Sequence, residues 1–275
     1  MSKEDLQGLR RLLAVMEQLR DPEDGCPWDR EQTARSIAPW TIEEACEVAA
    51  AVEEGDATHW REELGDLLFH VVFHARLAEE QDEFDFDAVA GAAAAKLEQR
   101  HPHVFAGAEV PSMKEFNRSW EAAKSEDREH IDDHLPAQLP ALMRALKLQK
   151  RAASLGFDWP DKEGPRGKIH EELSELEASD PADAAALREE VGDLLFAVVN
   201  LARHLNVEPE QALREANRKF TRRFNHIESR LAEQGVKPRD TSLEQLDALW
   251  DEAKALERRE ISGGGDDSHA GRGST

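Results

Sequence analysis

Glu172 and Glu175 stand three residues apart in the segment EELSE, and Glu190 and Asp193 stand three apart in EEVGD. On a helix, residues three apart lie about 60° from each other around the axis, so each pair projects from one face. Two such helices packed antiparallel bring four carboxylates together. Left unneutralised in a helical interior, four carboxylates carry a heavy desolvation cost, so the pattern calls for positive charge. Mg2+ can supply it, because it takes oxygen ligands, keeps some waters and is commonly completed by substrate phosphates. Carboxylates at i and i+3 on facing bundle helices are a recurring way to build such sites. The apolar sequel to the second pair, GDLLFAVVN, leads us to expect Asp193 to point inward.

Cations stand where they can answer this charge. Lys168 lies one turn before Glu172, on its face, and Lys219 and Arg223 are four residues apart on a later segment, with Arg222 beside them. A pair at i and i+4 can grip one phosphate chain. Asn200 follows Asp193 by seven residues on the same face, where an amide can read a base or sugar edge, and Trp250 offers a stacking surface. The plainer readings are surface ion pairs for the cations and core packing for the tryptophan. Gly192, and Gly65 in a matching earlier segment, are read as positions where a neighbouring backbone or a ligand comes close.

One acidic cluster proves little in a chain where Asp and Glu make up 58 of 275 residues. A solvated acidic face is its ordinary explanation. The chain, however, repeats itself: residues 43–69 carry an E-E-x-x-E cluster and then REELGDLLF, and residues 171–196 carry E-E-x-x-E and then REEVGDLLF. KLEQR at 96–100 answers KFTRR at 219–223, SWEAAK at 119–124 answers LWDEAK at 249–254, and CPWD at 26–29 is a looser partner of GFDW at 156–159. A recurring unit of this kind is a structural module. The first copy keeps Glu44, Glu47, Glu63 and Asp66 with Lys96, Arg100 and Trp120, but has Trp40 in place of Lys168 and Phe73 in place of Asn200. It therefore lacks one phosphate cation and one polar contact.

The elements that must hold these residues are helices. Periodicity predicts them near 3–20, 39–54, 57–81, 85–101, 112–128, 138–154, 165–178, 181–205, 208–233 and 241–259, and no stretch alternates as a strand. Leu67, Leu68, Val71, Val72 and Ala75 share one side of a helix, as do Leu194, Leu195, Val198, Val199 and Ala202. Pro39 and Pro181 suit first-turn positions, with Thr41 and Asp180 near the caps. The polar, Pro-punctuated SEDREHIDDHLPAQLP divides the chain into domains over 1–130 and 131–260, and 261–275 reads as a disordered tail. The expected fold is all-α.

Composition narrows the function. A net charge of −23 argues against nucleic acid held on a basic face. No apolar run nears the roughly 20 residues needed to span a bilayer, and the N-terminus enters an amphipathic pattern without a signal-peptide apolar core. Two cysteines give no disulfide framework and suit the cytoplasm. His70 and His74, after Asp66, can be a metal pair, but their counterparts Ala197 and Leu201 are apolar, so packing is the expected role. HPHVF at 101–105 reads as a helix stop at Pro102.

Taken in order, GCPWDREQT, E-E-x-x-E, ELGDLLF, KLEQRHPHVF, ALMRALKLQKRAASLGFDW and EEVGDLLFAVVNLARHL resemble the MazG nucleoside triphosphate pyrophosphohydrolases over about residues 6–257. The resemblance implies tandem all-α domains that form four-helix bundles on homodimerisation. It also implies hydrolysis of NTPs and dNTPs of broad base range to monophosphate and pyrophosphate, with Mg2+ as cofactor and Mn2+ as a substitute, in nucleotide-pool house-cleaning. By position it makes Glu172, Glu175, Glu190 and Asp193 the metal ligands. Lys168, Lys219, Arg222, Arg223 and Trp250 become nucleotide contacts, with Asn200 beside them. Glu171 and Glu189 are then ligand support or general base, a choice that stays open. Water attacks the α-phosphorus, and Mg2+, Lys219 and Arg223 hold the leaving pyrophosphate. Glu44, Glu47, Glu63 and Asp66 form a second, weaker metal site. The alternative is a catalytically weak, metal-dependent nucleotide-binding regulator. A di-iron bundle is disfavoured, since it wants Glu-x-x-His pairs.

Overall fold

A computed structural model of the chain describes residues 6–113, 115–116 and 129–263, and these form helices and turns with no strand among them. The chain divides into two compact units, Met1–Phe116 and Asn117–Thr275. Trp120, most of the helix expected over 112–128, and tail residues 264–275 lie outside the described residues.

In the first unit, α1 (Gln7–Leu19), α2 (Pro27–Glu31), α3 (Ala34–Glu54), α4 (Ala57–Glu79), α5 (Phe86–Arg100) and α6 (Pro102–Phe105) follow one another. Helices α3 and α4 form an antiparallel hairpin, against which α1 and α5 pack through α4. Met16, Ile37, Val72, Phe73 and Leu77 make the buried core, flanked by Leu9, Leu12, Leu13, Phe69 and Phe86. Arg20 clasps the far end: it pairs with Glu80 at 2.6 Å, which also takes Arg76 at 3.0 Å, while its guanidinium lies 5.4 Å from the Phe73 ring centre.

The second unit contains α7 (Ala141–Ser154), α8 (Glu163–Ala178), α9 (Ala184–His204), α10 (Pro209–Glu233) and α11 (Leu243–Gly263), with a 3-10 turn at Pro238–Asp240. Here α8 and α9 form one hairpin, α10 and α11 another, and α7 touches both α9 and α10. Buried apolar side chains include Leu146, Ala197, Val199, Ile227, Leu231 and Ala253. Asp158 accepts from Arg203 Nη1 at 3.0 Å, which ties the GFDW segment to the end of α9.

Several local expectations need correcting. Helix α3 starts at Ala34, where Thr33 and Ser36 form a reciprocal capping box, so Pro39 lies inside the helix and Thr41 is no cap. The early start is favoured because the box satisfies two backbone donors, whereas Pro39 forfeits only one hydrogen bond near the end. Thr41 instead turns its hydroxyl to Ile37 O at 3.3 Å and His74 Nε2 at 3.0 Å. Likewise Asp183, not Asp180, caps α9 by accepting from Ala185 N and Ala186 N, which leaves Pro181 in the preceding turn. Pro102 opens α6 as well as closing α5, as a proline at a first helical position can. Residues 261–263, expected in the tail, complete α11.

The long apolar stripes do not face one way. Val72 and Ala75 are buried while Leu68 and Val71 stay exposed, and Val199 is buried while Leu195 and Val198 stay exposed. Each helix of a hairpin covers only one side of its neighbour. Leu64, Leu68 and Val71 on α4, and Val191, Leu195 and Val198 on α9, therefore remain as matching uncovered stripes.

Candidate active site

Helices α8 and α9 bring Glu172, Glu175 and Glu190 together, each offering an oxygen within 4.8 Å of the others. The hairpin does this by placing the i, i+3 pair of α8 across from Glu190 on α9. Glu172 is buried, and Lys168 neutralises it, with Nζ 2.5 Å from Glu172 Oε1 and 3.1 Å from Glu171 Oε1. The two carboxylates hold the Lys168 pKa above its ordinary value. Glu175 has its pKa raised, by lost hydration first and then by the charges of Glu172 and Glu190.

Asp193 does not point inward. It is exposed and stands outside the close group of three. A fourth carboxylate beside three others gains by staying hydrated, since only one ammonium is present to offset their charge. Glu189 is exposed as well. Nothing lies within 4 Å of where a side chain would begin at Gly65 or Gly192, so no neighbouring backbone approaches either glycine.

The first unit repeats the arrangement with a different trio. Glu44, Glu63 and Asp66 offer oxygens within 4.8 Å of one another, and Glu47 is the exposed outlier. Glu44 Oε2 is buried without a hydrogen-bond partner, and burial followed by the charges of Glu47 and Asp66 raises the Glu44 pKa. His70 Nε2 lies 3.6 Å from Glu44 Oε1, and burial holds the His70 pKa low, so a largely neutral ring faces the carboxylate. His70 and His74 both lean on Thr41, at 3.5 and 3.0 Å, rather than forming a metal pair of their own.

Both trios suit a hard divalent cation. The donors are oxygens only, they crowd one another enough to raise carboxylate pKa values, and Glu44 Oε2 is left without a partner.

The predicted substrate cations form a separate group. Arg223 donates to Glu257 Oε2 at 2.9 and 2.7 Å, Arg222 reaches Glu257 Oε1 at 3.5 Å, and Lys219 is exposed. Trp250 packs 5.4 Å from Phe220, with the Arg223 guanidinium 5.3 Å from its ring centre, so the indole already supports Arg223. No hydrogen bond or ion pair among the described residues joins Lys219, Arg222, Arg223 or Trp250 to the α8–α9 carboxylates.

Further along α9, Asn200 opens on a cavity of about 510 Å³ lined by Gln149, Phe157, Trp159, Phe196 and Arg203. Sequence reasoning placed Asn200 but passed over Gln149. The signal was a glutamine in the apolar row Leu142, Leu146, Gln149 of α7. In the first unit the counterpart of Asn200, Phe73, is fully buried in a core with Met16, and Trp40 stacks on Trp28 at 5.1 Å.

The model of the MazG nucleotide pyrophosphohydrolase domain matches this chain at residues 32–105 and 166–228, once in each copy of the repeat. The nucleoside triphosphate pyrophosphohydrolase of Escherichia coli (strain K12) is 48% identical over 255 residues, which cover 90% of this chain and 97% of that protein. The chain belongs to the MazG family. Its MazG relatives include the Thermotoga maritima nucleoside triphosphate pyrophosphohydrolase/pyrophosphatase MazG, 43% identical over 244 residues, or 88% of this chain and 94% of the relative. The Mycobacterium tuberculosis nucleoside triphosphate pyrophosphohydrolase is 37% identical over 191 residues, or 67% and 55% of the two chains. As a MazG chain with both copies matched, this protein is an enzyme of the nucleotide pyrophosphohydrolase class. No helix among the described residues is long and apolar enough to cross a membrane.

Proposed function

We propose that this protein hydrolyses nucleoside and deoxynucleoside triphosphates of broad base range to the monophosphate and pyrophosphate, with Mg2+ as cofactor, as a cytoplasmic homodimer. The observation that carries the reading is the convergence of Glu172, Glu175 and Glu190 within 4.8 Å, with the Lys168 ammonium on Glu172. A family likeness to pyrophosphohydrolases turns this oxygen-only site toward phosphates.

Glu172, Glu175 and Glu190 would hold the cation, and Asp193, one turn after Glu190 on α9, would join them. Mg2+ supplies charge neutralisation and Lewis-acid polarisation of phosphate oxygens when bound. Lys168 brings a positive charge to the same face. Water adds across the bond between the α-phosphorus and its bridging oxygen: hydroxyl goes to the α-phosphorus, the bridging oxygen leaves with pyrophosphate, and a carboxylate, Glu171 or Glu189, takes the proton. The triphosphate competes with Glu257 for Arg222 and Arg223, and Lys219 adds a third cation. Trp250 keeps Arg223 in place.

The second unit carries most of the turnover. It has Lys168 and Asn200 where the first unit has Trp40, stacked on Trp28, and Phe73, buried in the core. Homodimerisation covers the stripes formed by Leu64, Leu68 and Val71 and by Val191, Leu195 and Val198, since uncovered apolar surface of this kind marks interfaces.

The test is to incubate the protein with Mg2+ and a panel of NTPs and dNTPs and identify the products. Pyrophosphate with nucleoside monophosphate is expected for most bases. Orthophosphate with nucleoside diphosphate, or no turnover of any nucleotide, overturns the proposal.

A further inference from the structure

Helix α8 carries Lys168, Glu172 and Glu175, yet its own start lacks a side-chain cap. Lys162, at the cap position, accepts no hydrogen bond, whereas Thr33, Asp183 and Glu208 cap α3, α9 and α10. Asp161 takes Glu163 N at 2.9 Å. A helix that begins without a cap frays from its first turn unless something else anchors it. The anchor is Trp159. Its indole lies so close over Gly164 that a Cβ there would fall 2.4 Å from Cδ2 and 2.6 Å from Cγ. Cγ is the root of the ring, so even an alanine at 164 would displace the whole indole.

Trp159 is tied in turn to the end of α9. Asp158 Oδ1 accepts from Trp159 N at 2.9 Å, and Arg203 donates to both Asp158 oxygens, from Nη1 to Oδ2 at 3.0 Å and from Nη2 to Oδ1. His204 Nε2 lies 3.2 Å from the same Oδ1. Arg203 also donates to Asn200 Oδ1, from Nε at 3.0 Å and Nη2 at 2.8 Å. One line of contacts therefore runs from Asn200 through Arg203, Asp158 and Trp159 to Gly164. Gly164 stands one turn before Lys168, on the same side of α8. In the first unit the contacts take another course. Arg76, in the place of Arg203, pairs with Glu79 and Glu80 at 3.0 Å each, and Trp28 stacks on Trp40, the residue at the lysine position itself.

We propose that Asp158 and Trp159 are positioning residues of the hydrolysis: they clasp the first turn of α8 to the last turn of α9 and so keep the Lys168 ammonium beside Glu172, where it meets the phosphates of the substrate. The proposal rests on the nucleotide-hydrolase reading above. Neither residue has to touch the substrate. With the clasp released, the uncapped start of α8 frays toward Lys168 one turn away. Its side chain is 37% exposed, so the ammonium then exchanges its place on Glu172 for water. Glu175 lies two turns beyond Lys168 and keeps its packing. The clasp occurs in the unit that has a lysine to position, and the unit with tryptophan there holds its arginine elsewhere.

The test is a double-mutant cycle on kcat/KM for NTP hydrolysis by the full-length protein with Mg2+, joined to hydrogen exchange of the α8 amides. Asp158→Asn, which removes the charge and keeps the shape, is expected to lower kcat/KM about tenfold. Gly164→Ala, which displaces the indole and removes no charge, is expected to do the same. Trp159→Phe, which keeps a ring over Gly164, should lose less than Trp159→Ala. On a Lys168→Ala background Asp158→Asn is expected to cost less than about twofold more, because a residue acting through Lys168 has nothing left to act on. Amides of residues 167–170 should exchange faster in Asp158→Asn, while those of α10 and α11 stay as in wild type. Losses that add in full on the Lys168→Ala background, unchanged activity in both Asp158→Asn and Gly164→Ala, or faster exchange throughout the second unit overturn the proposal alone. Absence of pyrophosphate from the wild type overturns the hydrolase reading and the proposal with it, so the two failures are told apart.

Discussion

Trp40 stacks almost parallel to Trp28, with ring centres 5.1 Å apart, at the helical position that Lys168 occupies in the second unit. A tryptophan pair thus sits where the other copy has a cation 2.5 Å from its buried glutamate. A charge-assisted contact to a phosphate contributes about 1.5–3 kcal/mol, which is roughly 10- to 100-fold in rate if it acts in the transition state. Accordingly Glu175→Ala is expected to lower pyrophosphate release at least 100-fold, and Glu47→Ala to leave most of it. Equal losses, or the reverse order, would show that the first unit is an equal partner.

Removal of Glu172 or Asp193 is expected to abolish turnover while far-ultraviolet circular dichroism stays close to wild type, because α8 and α9 keep their packing. Lys168→Ala is expected to lower kcat/KM about 10- to 100-fold. Near-normal activity in Glu172→Ala would remove the carboxylate trio from the reaction.

Divalent cations should stabilise the fold, more so at neutral pH than in acid. The Glu175 and Glu44 pKa values lie above the ordinary 4.5, raised by lost hydration and neighbouring carboxylates. For a raised pKa the stabilising contribution is full below 4.5 and is lost as pH rises through the raised value, so at pH 7 the clusters are under repulsion. Added Mg2+ is expected to raise Tm at pH 7 and to do so progressively less toward pH 4.5. Glu175→Gln is expected to raise Tm without Mg2+ and to shrink the Mg2+ response. A Mg2+ shift independent of pH would contradict this.

Glu80 gives the opposite sign. Hydrogen bonds from Arg20, then the charges of Arg20 and Arg76, hold its pKa below 4.5. Its contribution is present above 4.5 and lost as pH falls through the depressed value. Glu80→Gln is expected to destabilise the first unit by about 1–2 kcal/mol at pH 7, since it weakens charge-assisted bonds to Arg20. The gap between the urea unfolding curves of variant and wild type should narrow as pH falls below 4.5 through the depressed value. A gap independent of pH would assign the effect to packing.

Light scattering at micromolar concentration is expected to give the mass of two chains. Leu195→Glu, at a side chain 52% exposed in the single chain, should return the mass of one. A monomeric wild type would leave the α4 and α9 stripes without the proposed role.

Helices and the acidic pairs on them were legible in the sequence because helical geometry is local. A spacing of three residues places Glu172 beside Glu175 whatever surrounds them, and apolar periodicity marks α4 and α9 to within a few residues. The repeat, too, needs no structure. Where helices begin was less legible: the Thr33–Ser36 capping box outweighed the proline signal at Pro39, and Asp183 rather than Asp180 captured the free amides of α9. Contacts between helices lay beyond the pattern, because they depend on which faces the hairpins press together. Tertiary packing chose Glu190 over Asp193 as the third member of the trio, and turned Arg222 and Arg223 onto Glu257. It also left Gln149 Oε1 unpaired beside an aromatic cavity, where Phe73 and Met16 fill the core of the first copy. A polar residue in a helical row, such as Gln149 or Asn200, is visible to periodicity, but only the space between the helices decides whether its position lines a cavity or fills a core.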